Sequence, residues 1–496
     1  MLIKIILSLC FLVTISGRCE AAEPQENRKI ARLYEACEEW QSAIEVYTKE
    51  LSNNSRDSVS LAGRGLAYAR QGNLEQAFSD LSEAINYDPT CADAYANRSR
   101  IYGWLGLLQS AKADAERALA QMSSVPKDPE SLLRHASLLN CIGKRKEAEA
   151  EYKEALLLCS ERDSVCTLLN AACAQYHLGL LKDSLNSLTV AQKLEPQNAY
   201  ICYLRAGVYK NMNEWELAKA ELNNHLALIP GNFMALALRG DCAAALENYT
   251  AAISDYTQAI KLAPCFANAL RCRGFVSRQL GDYSKAIEDF TTVIRLDSSD
   301  SFSYAERSYC KSKMKQWSSA LKDAKQATLI DADYAPAYRY QAQAQSKLGL
   351  YSEASKAFDK CIELEPKNPA SHYNRGIYHQ ERRNYKSAII DLTEAIKLDN
   401  RDAMTFCARA SVLLSDKQYE QAISDCRQAL ELDSNCVPAL LRRGIAYARL
   451  GKPALALHDF DEAISKAPHL KEALYERELV YKSLGKGRLK QSEIKR

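Results

Sequence analysis

A small residue returns along this chain at a nearly constant interval of 34, and a sequence that repeats itself cannot be read as an ordinary single-core domain. Ala43, Ala77, Ala111, Ala148, Ser184, Ala218, Ala252, Ala286, Ala320, Ala354, Ala388, Ala422 and Ala456 follow one another at steps of 34, 36 or 37. Twelve residues before each stands a second small residue: Ala31, Gly65, Ser99, Ala136, Ala172, Ala206, Gly240, Gly274, Ser308, Ala342, Gly376, Ala410 and Gly444. Two small residues at a fixed offset let two helices of one unit approach closely. Apolar residues within a unit, such as Leu270, Leu280, Ile287, Phe290 and Ile294, keep helical spacing. Twelve residues past each Ala, Pro or Ser closes the second helix in eleven cases, Pro89, Pro196, Pro230, Pro264, Pro366 and Pro468 among them.

Composition agrees with a helical, tightly looped chain. Gly (19) and Pro (13) make up about 3.8% and 2.6% of the 496 residues, below the usual roughly 7% and 5%. Hydrophobic residues are 47% and charged residues 26%, which excludes a disordered, collagenous or polytopic membrane chain. Lys plus Arg (65) nearly balances Asp plus Glu (62), for a net charge of +3. That balance excludes nucleic-acid binding driven by bulk charge.

The pattern resembles the tetratricopeptide repeat family. The small residue at repeat position 8, Ala at 20, an aromatic residue or Leu at 17 and 24, and Pro at 32 all fit. The resemblance implies an all-α fold, a right-handed superhelical solenoid of thirteen tetratricopeptide helix pairs with a C-terminal capping helix. The expected repeats are 24–57, 58–91, 92–125, 129–162, 165–198, 199–232, 233–266, 267–300, 301–334, 335–368, 369–402, 403–436 and 437–470. Short insertions at 126–128 and 163–164 interrupt the register. Residues 471–485 are the expected capping helix, covering the last hydrophobic face as a solenoid requires.

Position 7 departs from the family, where it is usually apolar. Here it is Arg in nine repeats: Arg64, Arg98, Arg205, Arg239, Arg273, Arg307, Arg375, Arg409 and Arg443. Position 23 of the same repeats is always acidic: Asp80, Asp114, Glu221, Asp255, Asp289, Asp323, Asp391, Asp425 and Asp459. Where the Arg is missing, the acid goes too (Ile30 with Val46, Ala171 with Ser187, Gln341 with Ala357), and His135 with Glu151 is intermediate. Two sites that vary together inside one chain are expected to touch. The pattern predicts an ion pair between the first and second helix of each unit, acting more on register than on stability.

Met1 to Ala22 reads as a secretory signal peptide, with Lys4, an apolar run from Ile5 to Ile15, and Ala21 and Ala22 as cleavage positions. Eleven apolar residues fall short of the roughly twenty that cross a bilayer. The expectation is therefore export to a periplasm, secretory lumen or the extracellular space. Fifteen cysteines would remain after cleavage. An odd number cannot all pair internally, and their scattered positions read as small buried hydrophobes, in tension with an oxidising compartment. Cys141, Cys166, Cys173 and His177 form the sharpest cluster, a candidate soft-metal site, although packing is the simpler reading and no metal or cofactor is assigned. The stretch 486–496 is a short basic tail.

Almost nothing lies outside the repeats, so there is no room for a separate catalytic domain, and no phosphate-binding Gly loop or nucleophile elbow is present. The chain is read as a scaffold or adaptor, not an enzyme, that binds other proteins in its concave groove. A metal- or thiol-handling protein and an accessory chaperone stand as alternatives. In the resembling family, positions 2, 5, 9, 12 and 13 of the first helix line the groove. No repeat here has the Lys at 5 or Asn at 9 of the clamp for chaperone tails. Repeats 8–10 present Arg271, Phe275, Arg278, Phe302, Tyr309, Lys313, Arg339 and Lys347, the candidate partner-binding residues. Repeats 11–13 present Tyr373, Ile377, Met404, Leu414, Leu441 and Ile445, a largely apolar lining. The expected ligand is an extended or helical segment of another protein, acidic at one end and apolar at the other. Nucleic acid is not expected.

Overall fold

A computed structural model describes residues 27–28, 30–31, 40–122, 128–159 and 164–484. The signal segment, most of the first helix of repeat 1 and the basic tail lie outside the described residues. Among the described residues, twenty-six helices from Trp40 onward and no strand are present. The second helix of repeat 1 (Trp40–Asn53) is followed by twelve complete pairs, from Ser58–Arg70 with Leu74–Tyr87 to Val437–Arg449 with Pro453–Lys466. A last helix, Lys471–Ser483, packs on the pair before it, and no second helix follows it among the described residues. Here the first helix of a repeat is its A helix and the second its B helix. The helices form two compact units, divided between Ser299 and Asp300.

The small residues do what their spacing demands. A Cβ added at Gly240 would lie 2.7 Å from Tyr256, and one at Gly444 would lie 2.6 Å from Phe460. Position 8 thus accepts the aromatic or Leu at position 24 directly against its backbone. Where Ser stands at position 8 or 20 it links the two helices instead. Ser99 Oγ donates to the Ala111 carbonyl (2.7 Å), Ser308 to Ala320 (2.8 Å) and Ser184 to Ala172 (2.8 Å). A buried hydroxyl with a carbonyl partner avoids the cost of an unsatisfied donor.

The turn from A to B helix needs a left-handed residue at position 15 in all twelve complete pairs. Seven are Gly: Gly72, Gly106, Gly143, Gly179, Gly281, Gly349 and Gly451. The other five are Asn213, Glu247, Lys315, Arg383 and Lys417, with φ between 57° and 63°. These five sit where a Cβ crowds the following carbonyl oxygen, at about 1–2 kcal/mol per residue.

The expected ion pairs form. Arg273 holds Asp289 through both Nε (3.0 Å) and Nη2 (2.7 Å), and the same two-pronged geometry recurs at Arg64–Asp80, Arg98–Asp114, Arg239–Asp255, Arg307–Asp323, Arg375–Asp391, Arg409–Asp425 and Arg443–Asp459. Arg205 meets Glu221 through one nitrogen at 3.1 Å, and His135 Nδ1 meets Glu151 at 2.7 Å. The paired aspartates are buried, Glu221 and Glu151 are half-buried, and so are the guanidiniums. Beyond the sequence expectation, Nη1 of five of these arginines reaches back to position 25 of the preceding repeat, at Thr48, Asn223, Thr257, Asp359 and Thr393. Arg477 of the last helix makes the same backward bond to Asp461 (2.8 Å).

Candidate functional site

The concave positions of the first unit are turned on one another. Arg70, at position 13 of repeat 2, lies over the rings of Trp104 (4.5 Å), Trp40 (5.4 Å) and Tyr200 (5.6 Å), and Tyr200 belongs to repeat 6. Lys210 of repeat 6 pairs with Asp241 of repeat 7 at 2.6 Å, and the Tyr256 hydroxyl donates to the same Asp at 2.8 Å. Arg271 of repeat 8 donates to the carbonyl of Gly106 in repeat 3 (2.7 Å) and to Asn268 (2.8 Å). The sequence pattern put Arg271 among the candidate partner-binding residues of the groove. It is half-buried and bonded to a turn 165 residues away. One continuous buried cluster spans both sides of this closure, including Leu61, Leu81, Ile101, Leu105 and Leu107 with Leu222, Phe233, Leu236, Phe266 and Leu270. Phe275 and Arg278 sit together, with the guanidinium 4.5 Å from the ring centroid.

In the second unit the remaining candidates gather on two neighbouring A helices, Ser301–Lys313 and Ala335–Lys347. The Tyr309 and Tyr340 rings lie 5.3 Å apart, Lys313 stands 5.2 Å from the Tyr309 ring, and Arg339 stands 5.1 Å from the Tyr340 ring. Cations over ring faces are held in place without losing their charge. Phe302 is half-buried on the first of these helices. Lys347 is paired with Glu381 of the next repeat at 2.7 Å.

Farther along the same unit, a cavity of about 510 Å³ opens on the A helices of repeats 12 and 13. Leu414, Val437, Leu441, Ile445 and Leu470 line it, with Arg442, Arg449 and Glu472 also in the wall. Three of the apolar residues expected in the greasy stretch of the groove thus share one cavity. Met404 is half exposed on the A helix of repeat 12. Arg442 and Arg449, which the sequence reading passed over, stand at positions 6 and 13 of repeat 13.

The Cys–His cluster does not converge. Among the described residues no three His, Cys, Asp or Glu side chains are grouped to hold a metal ion. His177 stacks flat on Tyr152 at 4.6 Å, and burial lowers its pKa. Burial pushes the Cys173 thiol up to about 11, while Cys166 is exposed and Cys141 lines a separate cleft beside Arg100 and Trp104.

Sequence profiles described as tetratricopeptide repeat match residues 60–91, 203–269, 273–300, 341–368, 357–390 and 407–471. The chain belongs to the tetratricopeptide repeat family. Tetratricopeptide repeat protein 13 of Homo sapiens is 26% identical over 169 residues, covering 32% of this chain and 19% of that protein. The match therefore spans about a fifth of the length of that relative. Among solved structures, the APC/C hetero-tetramer Cut9-Hcn1 is 14% identical with a TM-score of 0.43, covering 93% of this chain and 96% of its own. Yeast Tom70 is 14% identical with a TM-score of 0.40, covering 95% and 98%. Proteins of this family are in general non-enzymatic scaffolds for protein–protein interaction. No helix among the described residues is long and apolar enough to cross a membrane.

Proposed function

We propose that this protein is an exported scaffold that captures an extended or helical segment of another protein on the concave face of its second unit. The observation that carries the reading is the cavity on repeats 12 and 13, whose Leu and Ile floor is flanked by Arg442 and Arg449. The basic–aromatic pairs at Tyr309, Lys313, Arg339 and Tyr340 lie on earlier A helices of the same unit. Arg449 also meets Glu476 at 3.5 Å and Arg442 donates to the Pro438 carbonyl at 3.0 Å, so an acidic segment would compete with these contacts. Apolar burial supplies affinity and the cations supply orientation and steering. The matching segment carries Leu or Phe anchors flanked by Asp or Glu, since Arg pairs with carboxylates at close range. Export rests on the order of charged, apolar and small residues from Met1 to Ala22.

The test is selection of twelve-residue peptides from a random display library on the full chain, followed by fluorescence-polarisation titration of the enriched sequences. Acidic peptides with large apolar anchors should dominate. Arg442→Glu with Arg449→Glu should weaken them about tenfold or more, and the effect should shrink as salt rises, because exposed charges are screened beyond about 8–10 Å. Leu441→Ser should weaken them without changing the salt dependence. Equal affinity for wild type and both variants, with equal circular dichroism, would place the binding site elsewhere.

A further inference from the structure

Repeat 12 is the one repeat with Cys at both position 5 and position 34. The two side chains meet: Cys407 Sγ, in the A helix Ala403–Ser415, is 3.5 Å from Cys436 Sγ. Both are buried, at 0% and 4% exposure, in a cluster with Phe406, Ala410, Leu413 and the third thiol Cys426. Position 34 is the residue that caps the next A helix. Asn232, Asp300, Asn368 and Asp402 occupy it elsewhere, and each accepts a bond from a backbone N–H of the first turn. Cys436 makes no such bond. The cap bond is likewise absent at Asp57, Cys91, Phe266, Tyr334 and Leu470, so what sets Cys436 apart is the second sulfur placed against it.

We propose that Cys407 and Cys436 form a structural disulfide. The bond needs each sulfur to advance by well under 1 Å towards the roughly 2.05 Å of a disulfide. It would tie the A helix of repeat 12 to the turn that enters repeat 13, beside the cavity proposed to bind partners. The oxidant is a disulfide of the glutathione type. Its S–S bond breaks and the Cys407–Cys436 bond forms through a mixed disulfide. The pair gives up two electrons and two protons, and the oxidant leaves as two thiols. Burial holds the Cys407 and Cys426 thiols well above their ordinary range, so exchange proceeds while the turn at 433–436 is open or while the chain folds. The occurrence of the bond in the cell rests on the export reading. Its chemistry does not.

The full chain, reduced and then folded in glutathione buffers of graded oxidised-to-reduced ratio, is alkylated and digested with trypsin. The three cysteines fall on separate peptides: 402–409, 428–442, and 418–427 for Cys426. Peptides 402–409 and 428–442 should appear joined, with 418–427 alkylated. The joined-to-free ratio should rise about a hundredfold across a buffer span of about 60 mV, as a two-electron couple requires. Cys407→Ser should abolish the joined species without linking Cys436 to Cys426. Free thiols on both peptides at the oxidising end, or a linkage through Cys426, would overturn the proposal. Protein recovered from its native compartment adds a separate arm. A bond that forms in buffer but is absent there, on chains still carrying Met1, would overturn export and leave the disulfide site standing.

Discussion

His225 shows how much a single side chain can hold in a repeat interface. It is 2% exposed, its Nδ1 donates to the Ala199 carbonyl (2.8 Å), and its Nε2 accepts from the Asn232 amide (2.9 Å). Asn232 is in turn the cap of the next A helix. Both ring nitrogens are satisfied only in the neutral form, because a proton on Nε2 would face an amide donor. Burial lowers the pKa of this imidazole, and the bond to Ala199 only partly offsets it. The unfolded chain then binds more protons than the folded one below the ordinary value of about 6.5. Stability is complete above that pH and falls as the pH drops towards the folded value, by at most about 1.4 kcal/mol per unit. Hydrogen exchange of residues 199–245 should therefore quicken between pH 6.5 and 5.5 beyond the intrinsic chemical trend. His225→Gln, which keeps a donor and an acceptor, should flatten that extra dependence, and an unchanged profile would acquit the histidine. Single-residue roles like this were hidden in the sequence. Nothing about His225 is periodic, and Glu247, Lys315, Arg383 and Lys417 conceal the left-handed turn that seven glycines would otherwise announce.

Between helices the organising device is the arginine at position 7. It grips the acid sixteen residues ahead and, in five repeats, a Thr, Asn or Asp sixteen residues behind, so one guanidinium joins three helices. Arg273→Ala should cost about 1–4 kcal/mol, because Asp289 is 4% exposed and loses its partner. Burial already raises the Asp289 carboxyl pKa with Arg273 in place, so the stranded acid would protonate more readily still. Urea unfolding of Arg273→Ala, Asp289→Ala and the double variant should show the double costing less than the sum. Strict additivity would mean that the two side chains do not act together. The forward half of this device was legible, since repeats within one chain serve as their own alignment and expose paired changes. The backward half was not, because its acceptors share a geometry rather than a residue type. Arg477 carries the backward bond onto the last helix, which is thereby built as the A helix of another repeat.

At the scale of the first unit, nearest-neighbour stacking does not describe everything. The Gly106 turn meets Asn268 and Arg271 so closely that an added Cβ would lie 2.3 Å from Asn268 Oδ1 and 2.5 Å from Arg271 Nη2. Gly106 also has φ at 78°, so any side chain there is strained. Gly106→Ala should speed hydrogen exchange both around 102–108 and around 266–272, although the second stretch is five repeats away. Gly72→Ala, at the same repeat position but with open space around it, should perturb only its own turn. Equal and purely local effects would reduce the closure to a passive touch. No periodic offset announces this contact, which is why a sequence read by its repeats shows the stack and not the closure. The consequence is one of timing. A ribosome adding roughly 5–20 residues per second needs about 8–33 s to make the 165 residues between the two halves of the contact. Throughout that interval the Gly106 turn is already made while the arginine that will close on it does not yet exist.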